Sequence, residues 1–461
     1  MREHGPSILV AALSSAFGVA LLQITSVLSV IISNDDVTGS SGTVSVMLAI
    51  VAAVFIVIAI YVGAIVTSNT FATIVAGRTR IIALYRLIGS SAAAQRRAVA
   101  REGLVVGVVG SLAGAVIGTV LVAVTVAILV TAKAVPALEF TYIEPVIVLP
   151  LVTVILTTWL ASWVGSRRVL NVSPMQATGA AVEASREEVA ARTGRNVAAV
   201  VLFASGMGLL VLGILAGLVS PAGVLIGMVG GVLSFSGVVL GAHLVMPPAL
   251  RLVGRIFGSS APARLASENA VRYPERSSRT TIGLVIGVTL VTMFAVATES
   301  YQAILREAQE QNPEVYGGID TVLVITVVVF SALMGFSALI AAVGMVNNLS
   351  LSVLQRTREL GLLRALGFTV KQVRQMILTE AAQLTIAAVV VGLVLGTFYG
   401  WAGAQSLLGG TLEQPGLVVP AVPLALLGVV VVGSVLLTLA ASLAPSRRAT
   451  SVAPVVALAV E

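Results

Sequence analysis

Residues Asn347 to Glu380 read NNLSLSVLQRTRELGLLRALGFTVKQVRQMILTE, and residues Asn69 to Glu102 read NTFATIVAGRTRIIALYRLIGSSAAAQRRAVARE. Aligned without a gap, at one offset of about 278 residues, the stretches pair Asn69 with Asn347 and Arg78-Thr79-Arg80 with Arg356-Thr357-Arg358. Leu84 meets Leu362, Arg86 meets Arg364, Gly89 meets Gly367, Arg96 meets Arg374 and Glu102 meets Glu380. The register holds into the next apolar run, where Gly114, Gly118 and Thr119 face Gly392, Gly396 and Thr397. A long internal repeat decides architecture before any local feature does. Here it predicts two equivalent halves, each with a basic segment leading into an apolar helix. Two equivalent docking surfaces imply a partner that comes as a pair.

Composition sets the class. Hydrophobic residues make up 57% of the 461 residues and charged residues 10%. The mean hydropathy is +1.05, where a soluble domain carries about a quarter charged residues. Apolar runs long enough to cross a bilayer as helices recur along the chain. The fold class expected is therefore an all-α polytopic membrane protein. The formal charge of +7 fits basic cytoplasmic loops rather than a nucleic-acid partner. There is no Cys, which excludes disulfides, thiol catalysis and Cys-based metal sites. Met1 to His4 lead straight into an apolar run with no small-residue cleavage site after it, so the first segment reads as a spanning helix rather than a removed leader.

The hydropathy pattern predicts about ten spanning helices, near 8–32, 44–67, 104–131, 145–165, 196–218, 222–246, 281–299, 321–345, 382–402 and 421–443. The loops between them alternate in charge. One set holds Arg78 to Arg101, Arg167 to Arg195, Arg251 to Arg279, Arg356 to Arg374, and Arg447 with Arg448. The other set holds Asp35, Asp36, Glu139, Glu144, Glu307, Glu310, Glu314, Asp320 and Glu413, with Lys133 and Arg306 the basic exceptions. This bias predicts both termini on the cytoplasmic side. The excess of Arg over Lys, with abundant Ala, Val and Gly, fits a GC-rich bacterial genome, so a bacterial plasma membrane is expected. The layout is four helices, a two-helix linker, then four helices. A short surface helix is expected within about 257–280, broken at Pro274. The acidic stretch about 300–320 reads as the longest outer loop, too short for a folded outer domain.

No catalytic constellation is visible. His4 and His243 are far apart, and His243 reads as an interfacial residue rather than a ligand. Neither lysine, Lys133 or Lys371, lies in the glycine context of a phosphate-binding loop, so no ATP hydrolysis by that route is expected from this chain. Catalytic, cofactor-binding and metal residues are accordingly given as none. Nearly every ionisable residue falls in a loop or at a helix end, which argues against an ion-coupled transporter and against an intramembrane enzyme. In the second repeat copy Leu360, Leu362, Leu363 and Leu366 interleave with Arg356, Arg358, Glu359 and Arg364, and Gly367 then ends the run. That pattern predicts an amphipathic helix with a left-handed glycine cap, suited to a partner groove. Orientation by charge alone does not require the pattern to recur in register.

The segment Arg356-Thr357-Arg358-Glu359-Leu360-Gly361-Leu362-Leu363-Arg364-Ala365-Leu366-Gly367 resembles the signature of FtsX/MacB-like ABC-transporter permeases. The ending Pro445-Ser446-Arg447-Arg448-Ala449, with Val452-Ala453-Pro454, is similar to that family's ending, and Ser166-Arg167-Arg168 with Val172-Ser173-Pro174 echoes it in the first half. The first copy is degenerate, with Ile81 in place of Glu359 and Ala83 in place of Gly361. The resemblance implies two FtsX-like repeats, 1–180 and 261–461, joined by a linker with two helices, 181–260. It implies coupling to a separate cytoplasmic ABC ATPase, two copies per chain, which supplies the ATP and Mg that this chain does not hold. The coupling residues it implies are Arg356, Arg358, Glu359, Leu360, Leu363, Arg364, Leu366 and Gly367, with Arg78, Arg80, Leu84, Arg86 and Gly89 in the first copy. The ten-helix layout resembles the BceB branch without that branch's large outer domain. The function it implies is a permease subunit of an ABC transporter; the lack of charge in the helices points to a hydrophobic or amphipathic cargo, such as an antimicrobial peptide, a drug or a lipid, taken from the bilayer. The alternative is a mechanical transmitter acting on an outer partner. An adjacent ABC ATPase gene would fit both.

Overall fold

The structure, a computed structural model, describes residues 5–33, 88–131, 145–166, 193–257, 260–272, 274–311, 357–410 and 416–451. It also describes residues 84–85 and 140–141 and short helical pieces between 46 and 69 and between 327 and 342. Among the described residues the elements are helical, with no strand. In chain order they are α1 (Gly5–Ser33), α2 (Ala92–Thr131), a 3₁₀ turn (Pro145–Ile147) opening α3 (Val148–Gly165), α4 (Thr193–Gly217) and α5 (Gly223–Leu240). There follow α6 (Ala242–Gly254), α7 (Ala261–Arg272), α8 (Pro274–Gln311), α9 (Thr357–Ala365), α10 (Val370–Leu408) and α11 (Leu424–Ser451). Eight of these, α1 to α5, α8, α10 and α11, are long and apolar enough to cross a membrane. The remaining two expected spans, 44–67 and 321–345, lie mostly outside the described residues; Ile56–Ile65 is an apolar helix. The protein is an all-α polytopic membrane protein.

The two halves use the same helix neighbours. In the first, α2 packs between α1 and α3; in the second, α10 packs between α8 and α11. Lipid is as apolar as a leucine side chain, so association rests on close packing at small residues and on interhelical hydrogen bonds. The repeat supplies both. A Cβ at Gly114 would lie 2.2 Å from the Ala12 carbonyl oxygen, and one at Gly118 2.7 Å from that of Ala16. At their counterparts Gly392 and Gly396 an added Cβ would lie 2.7 and 2.5 Å from the side chains of Val288 and Thr292 of α8. Ser15 donates to the Ser111 carbonyl at 2.9 Å, and the Gln23 amide donates to Thr119 at 2.9 Å. Thr385 and Thr438 bond α10 to α11 at 2.7 Å.

The linker helices α4 and α5 form a tight hairpin. Gly206 meets the backbone of Ser234, Gly213 that of Gly227, and Gly237 that of Phe203, while Gly217 closes on Ser406 of α10. The hairpin touches both halves. Tyr61 bonds Ser236 of α5 at 2.8 Å, and Tyr399 of α10 bonds Ser234 at 3.0 Å. Phe235 stands between these tyrosines, edge-on to each, with ring centroids 6.4 and 6.1 Å away. Adjacent α5 residues thus join the first repeat to the second.

Three helices outrun their expected spans. α2 has 40 residues, α8 has 38 and α10 has 39. At about 1.5 Å rise per residue each is nearly twice as long as the ~30 Å hydrocarbon core. The expected outer loop 300–320 is therefore helical as far as Gln311, because Ile304, Leu305 and Ala308 bury against Ala404 and Leu408 of α10; residues 312–320 lie outside the description. The expected span 222–246 is divided at Gly241, whose φ of −91° and ψ of 14° leave the helical range ahead of Pro247 and Pro248 in α6. Within 257–280 the short helix is α7, and Pro274 opens the next helix, where its missing N–H is without cost.

Candidate functional site

Where both copies are described, the repeated segment is capped the same way twice. In the second copy α9 runs Thr357–Ala365, and Gly367 follows at φ +100°. The Phe368 N–H donates to the Leu363 carbonyl at 3.0 Å and the Gly367 N–H to the Arg364 carbonyl at 3.1 Å. These two bonds, with Phe368 and Leu363 in one apolar cluster, form a Schellman cap. In the first copy Gly89 has φ +99°, and the Ser90 N–H donates to the Tyr85 carbonyl at 2.9 Å, the equivalent bond at the equivalent position. The chain re-enters a helix three residues after each glycine, with Ser91 and Thr369 as the N-caps. The Thr369 hydroxyl accepts from the Gln372 N–H at 3.2 Å, and the Gln372 side chain accepts from the Thr369 N–H at 2.9 Å, a complete capping box. Ser91 accepts from the Ala94 N–H at 3.1 Å, but Ala94 has no amide to return the bond. Alanine at Gly89 or Gly367 is expected to cost about 1–2 kcal/mol, the left-handed penalty for a residue with a Cβ. Faster amide exchange at Ser90 or Phe368 would record it.

The segment presents one face and buries the other. Leu360 is 1% exposed and joins Val373, Met376 and Ile377 of α10 and Ala266 of α7, with Leu363 and Phe368 packed against them. Leu362 and Leu366, one turn apart, are 51% and 72% exposed. At the matching positions Leu84 and Ile88 are 48% and 81% exposed. Two apolar pairs at i and i+4 spacing therefore stand in solvent, one in each repeat.

Among the residues expected to act here, Leu366 and Leu84 lie on this exposed face, and Gly367 and Gly89 shape it. Glu359 is exposed and Arg364 is half-buried. Leu360 and Leu363 face the chain's own core, so they hold the segment in place rather than offer it outward. Arg358 lies in the first turn of α9; Arg78, Arg80, Arg86 and Arg356 lie outside the described residues. Leu362 and Ile88 were not among the expected site residues, although their spacing of four from Leu366 and Leu84 is readable in both copies.

The surroundings are braced by charge and amide contacts. Arg195 at the start of α4 meets Glu275 of α8 at 2.9 Å, and Arg279 shares that carboxylate at 3.2 Å. Arg276 lies 3.9 Å from Glu380 of α10, and Gln383 donates to Ser267 of α7 at 2.8 Å. His243 is buried and bonded to Asn196 at 2.7 Å, an interfacial role. The segment thus rests on α7 and α10, and α10 continues from it without interruption through the apolar span.

Comparison with known proteins matches one family at two places along the chain. The family described as FtsX-like permease C-terminal matches twice, over residues 53–174 and 331–454. The matches begin at equivalent positions of the repeat and together cover more than half of the chain. The chain is 33% identical over 112 residues to the uncharacterized ABC transporter permease YknZ of Bacillus subtilis, covering 24% of this chain and 26% of that protein. It is 36% identical over 132 residues to the macrolide export ATP-binding/permease protein MacB of Nitrobacter winogradskyi, covering 28% and 19%. It is 32% identical over 59 residues to the ABC transporter permease YtrF of Bacillus subtilis, covering 13% and 14%. The matches span about a quarter or less of each relative. With the duplicated segment and the shared helix packing, these findings place the chain in the FtsX-like permease family, as an ABC transporter permease of the FtsX/MacB type.

Proposed function

We propose that the chain is the membrane subunit of a transporter driven by a separate ABC ATPase, which docks on the exposed pairs Leu84/Ile88 and Leu362/Leu366, one ATPase copy per repeat. The carrying observation is the duplicated exposed pair behind a duplicated glycine cap. An isolated apolar pair has many uses, whereas two in register, each leading into a spanning helix, suit a partner with two equivalent grooves. ATP and Mg belong to that partner, and the docking end and both termini face the cytoplasm.

The mechanism follows from rigidity. Closure of the ATPase dimer draws the two segments together. Leu360 and Leu363 fix the second segment on α7 and α10, so its displacement moves α10 as a lever. α2 carries the first segment in the same way. The α5 strut, held by Tyr61 and Tyr399, sets the pivot between the halves. The cargo is a hydrophobic or amphipathic compound taken from the bilayer, in keeping with apolar helix surfaces and with a relative named for macrolide export. Co-expression with its candidate ABC ATPase, followed by purification through a tag on this chain, tests the proposal. The ATPase is expected to co-purify and to hydrolyse ATP faster when bound; recovery of the chain alone would refute it.

A further inference from the structure

The repeat acts as an internal control, and one patch of the first half has no counterpart in the second. At the docking end of α2, Arg97 and Arg101 are exposed, one turn apart, just before the exposed apolar residues Leu104 and Val105. Neither arginine has a hydrogen bond or ion pair among the described residues. At the same end of α3, Trp159 and Trp163 stack with centroids 6.3 Å apart and planes at 26°. The Arg96 guanidinium lies 3.8 Å from the Trp163 ring centroid. Trp159 is 36% exposed, with Leu160 and Val164 exposed beside it. In the second repeat the positions of Arg97 and Arg101 are held by Gln375 and Thr379, and those of Trp159 and Trp163, in the register that pairs Ser166 with Ser446, by Leu439 and Leu443. The shared part, Arg96 with Arg374, belongs to both halves; the arginine pair and the tryptophan pair belong to one.

Docking and topology are common to both repeats and so do not account for a feature of one. The chemistry of the patch does. Two arginines spaced by a helical turn meet phosphate oxygens through charge-assisted hydrogen bonds. Tryptophan sits at the boundary of headgroup and acyl chain, with its ring in the apolar layer and its N–H in the wet one. Both lie toward the same end of an apolar span, the end at which arginine and tryptophan side chains meet lipid headgroups. We propose that the first repeat carries a binding site for an anionic phospholipid, its headgroup phosphate between Arg97 and Arg101 and its upper acyl chain along Trp159. The proposal does not depend on ATPase docking and is tested without it.

The sequence contains three tryptophans, so W401F leaves emission from Trp159 and Trp163 alone. In proteoliposomes, phosphatidylglycerol with brominated chains is expected to quench this emission at a mole fraction more than tenfold below that needed with brominated phosphatidylcholine, as roughly 1 kcal/mol for each of the two surface arginines implies. Installing the second-repeat residues, R97Q with R101T, should remove the preference, and R97K with R101K should keep most of it. Equal quenching by the two lipids, or an unchanged preference in the R97Q/R101T protein, would overturn the proposal. So would recovery of emission on adding soluble glycerol phosphate, which would place a free phosphate ester there instead. Loss of ATPase co-purification in the same W401F protein would bear on the docking reading and leave this one standing.

Discussion

Valine at Gly114 or Gly396 is expected to destabilise the protein by about 3 kcal/mol, the upper end for overpacking a close contact, and to lower its melting temperature in detergent by several degrees. At Gly114 even the first added carbon would sit 2.2 Å from a backbone oxygen and 2.7 Å from Ser15 Cβ. At Gly396 it would lie 2.5 Å from Thr292 Cβ and 2.6 Å from the Thr289 oxygen. Backbone cannot step aside as a flexible side chain can, so α1 and α2, or α8 and α10, must separate. Alanine at Gly208 or Gly403, where nothing lies within 4 Å, is the contrast. There the gain in helix propensity predicts no loss of stability. If all four substitutions behaved alike, close packing at the repeated glycines would not be what holds each half together.

The second large effect concerns coupling. Replacing Leu362 and Leu366 by aspartate is expected to lower stimulated ATP hydrolysis more than tenfold while leaving the melting temperature within a degree or two. Both side chains are exposed, so the fold loses little, whereas an interface core of two leucines loses its apolar contact and gains charge. Replacing Leu84 and Ile88 should give a comparable loss, since both docking points must move for the halves to move. Replacing Leu360 should act differently, lowering stability first, because it is buried against α7 and α10. An exposed-pair variant with full stimulation would remove the pairs from the coupling path.

Some of this could be read from the residues and some could not. The repeat is legible because its offset has no gap, and Gly89 and Gly367 announce their caps because glycine alone takes φ near +100° without strain. Pro274 marks a helix start for an equally local reason. The inward turn of Leu360 is not legible: leucines at 360, 362, 363 and 366 are alike in sequence, and what selects the buried face is packing against Val373, Met376 and Ile377 of α10 after the chain turns at Gly367, closed by Ala266 of α7 almost a hundred residues away. The extension of α8 past the membrane was hidden in the same way, since its acidic stretch looks like loop until Ile304, Leu305 and Ala308 find α10. The α5 strut joins Tyr61 to Tyr399 through residues distant in the chain from both, and no local pattern predicts such a contact. The spans 44–67 and 321–345 rest on hydropathy, as most of their residues lie outside the description.

The pseudo-dimer is tested most directly by weighing the intact complex of this chain with its ATPase by native mass spectrometry in detergent. One chain with two ATPase copies is predicted, falling to one with one when Leu84 and Ile88 alone are replaced by aspartate, and to the free chain when Leu362 and Leu366 are replaced as well. Two chains with two ATPase copies, or a one-to-two complex that survives both replacements, would contradict paired docking on a single chain.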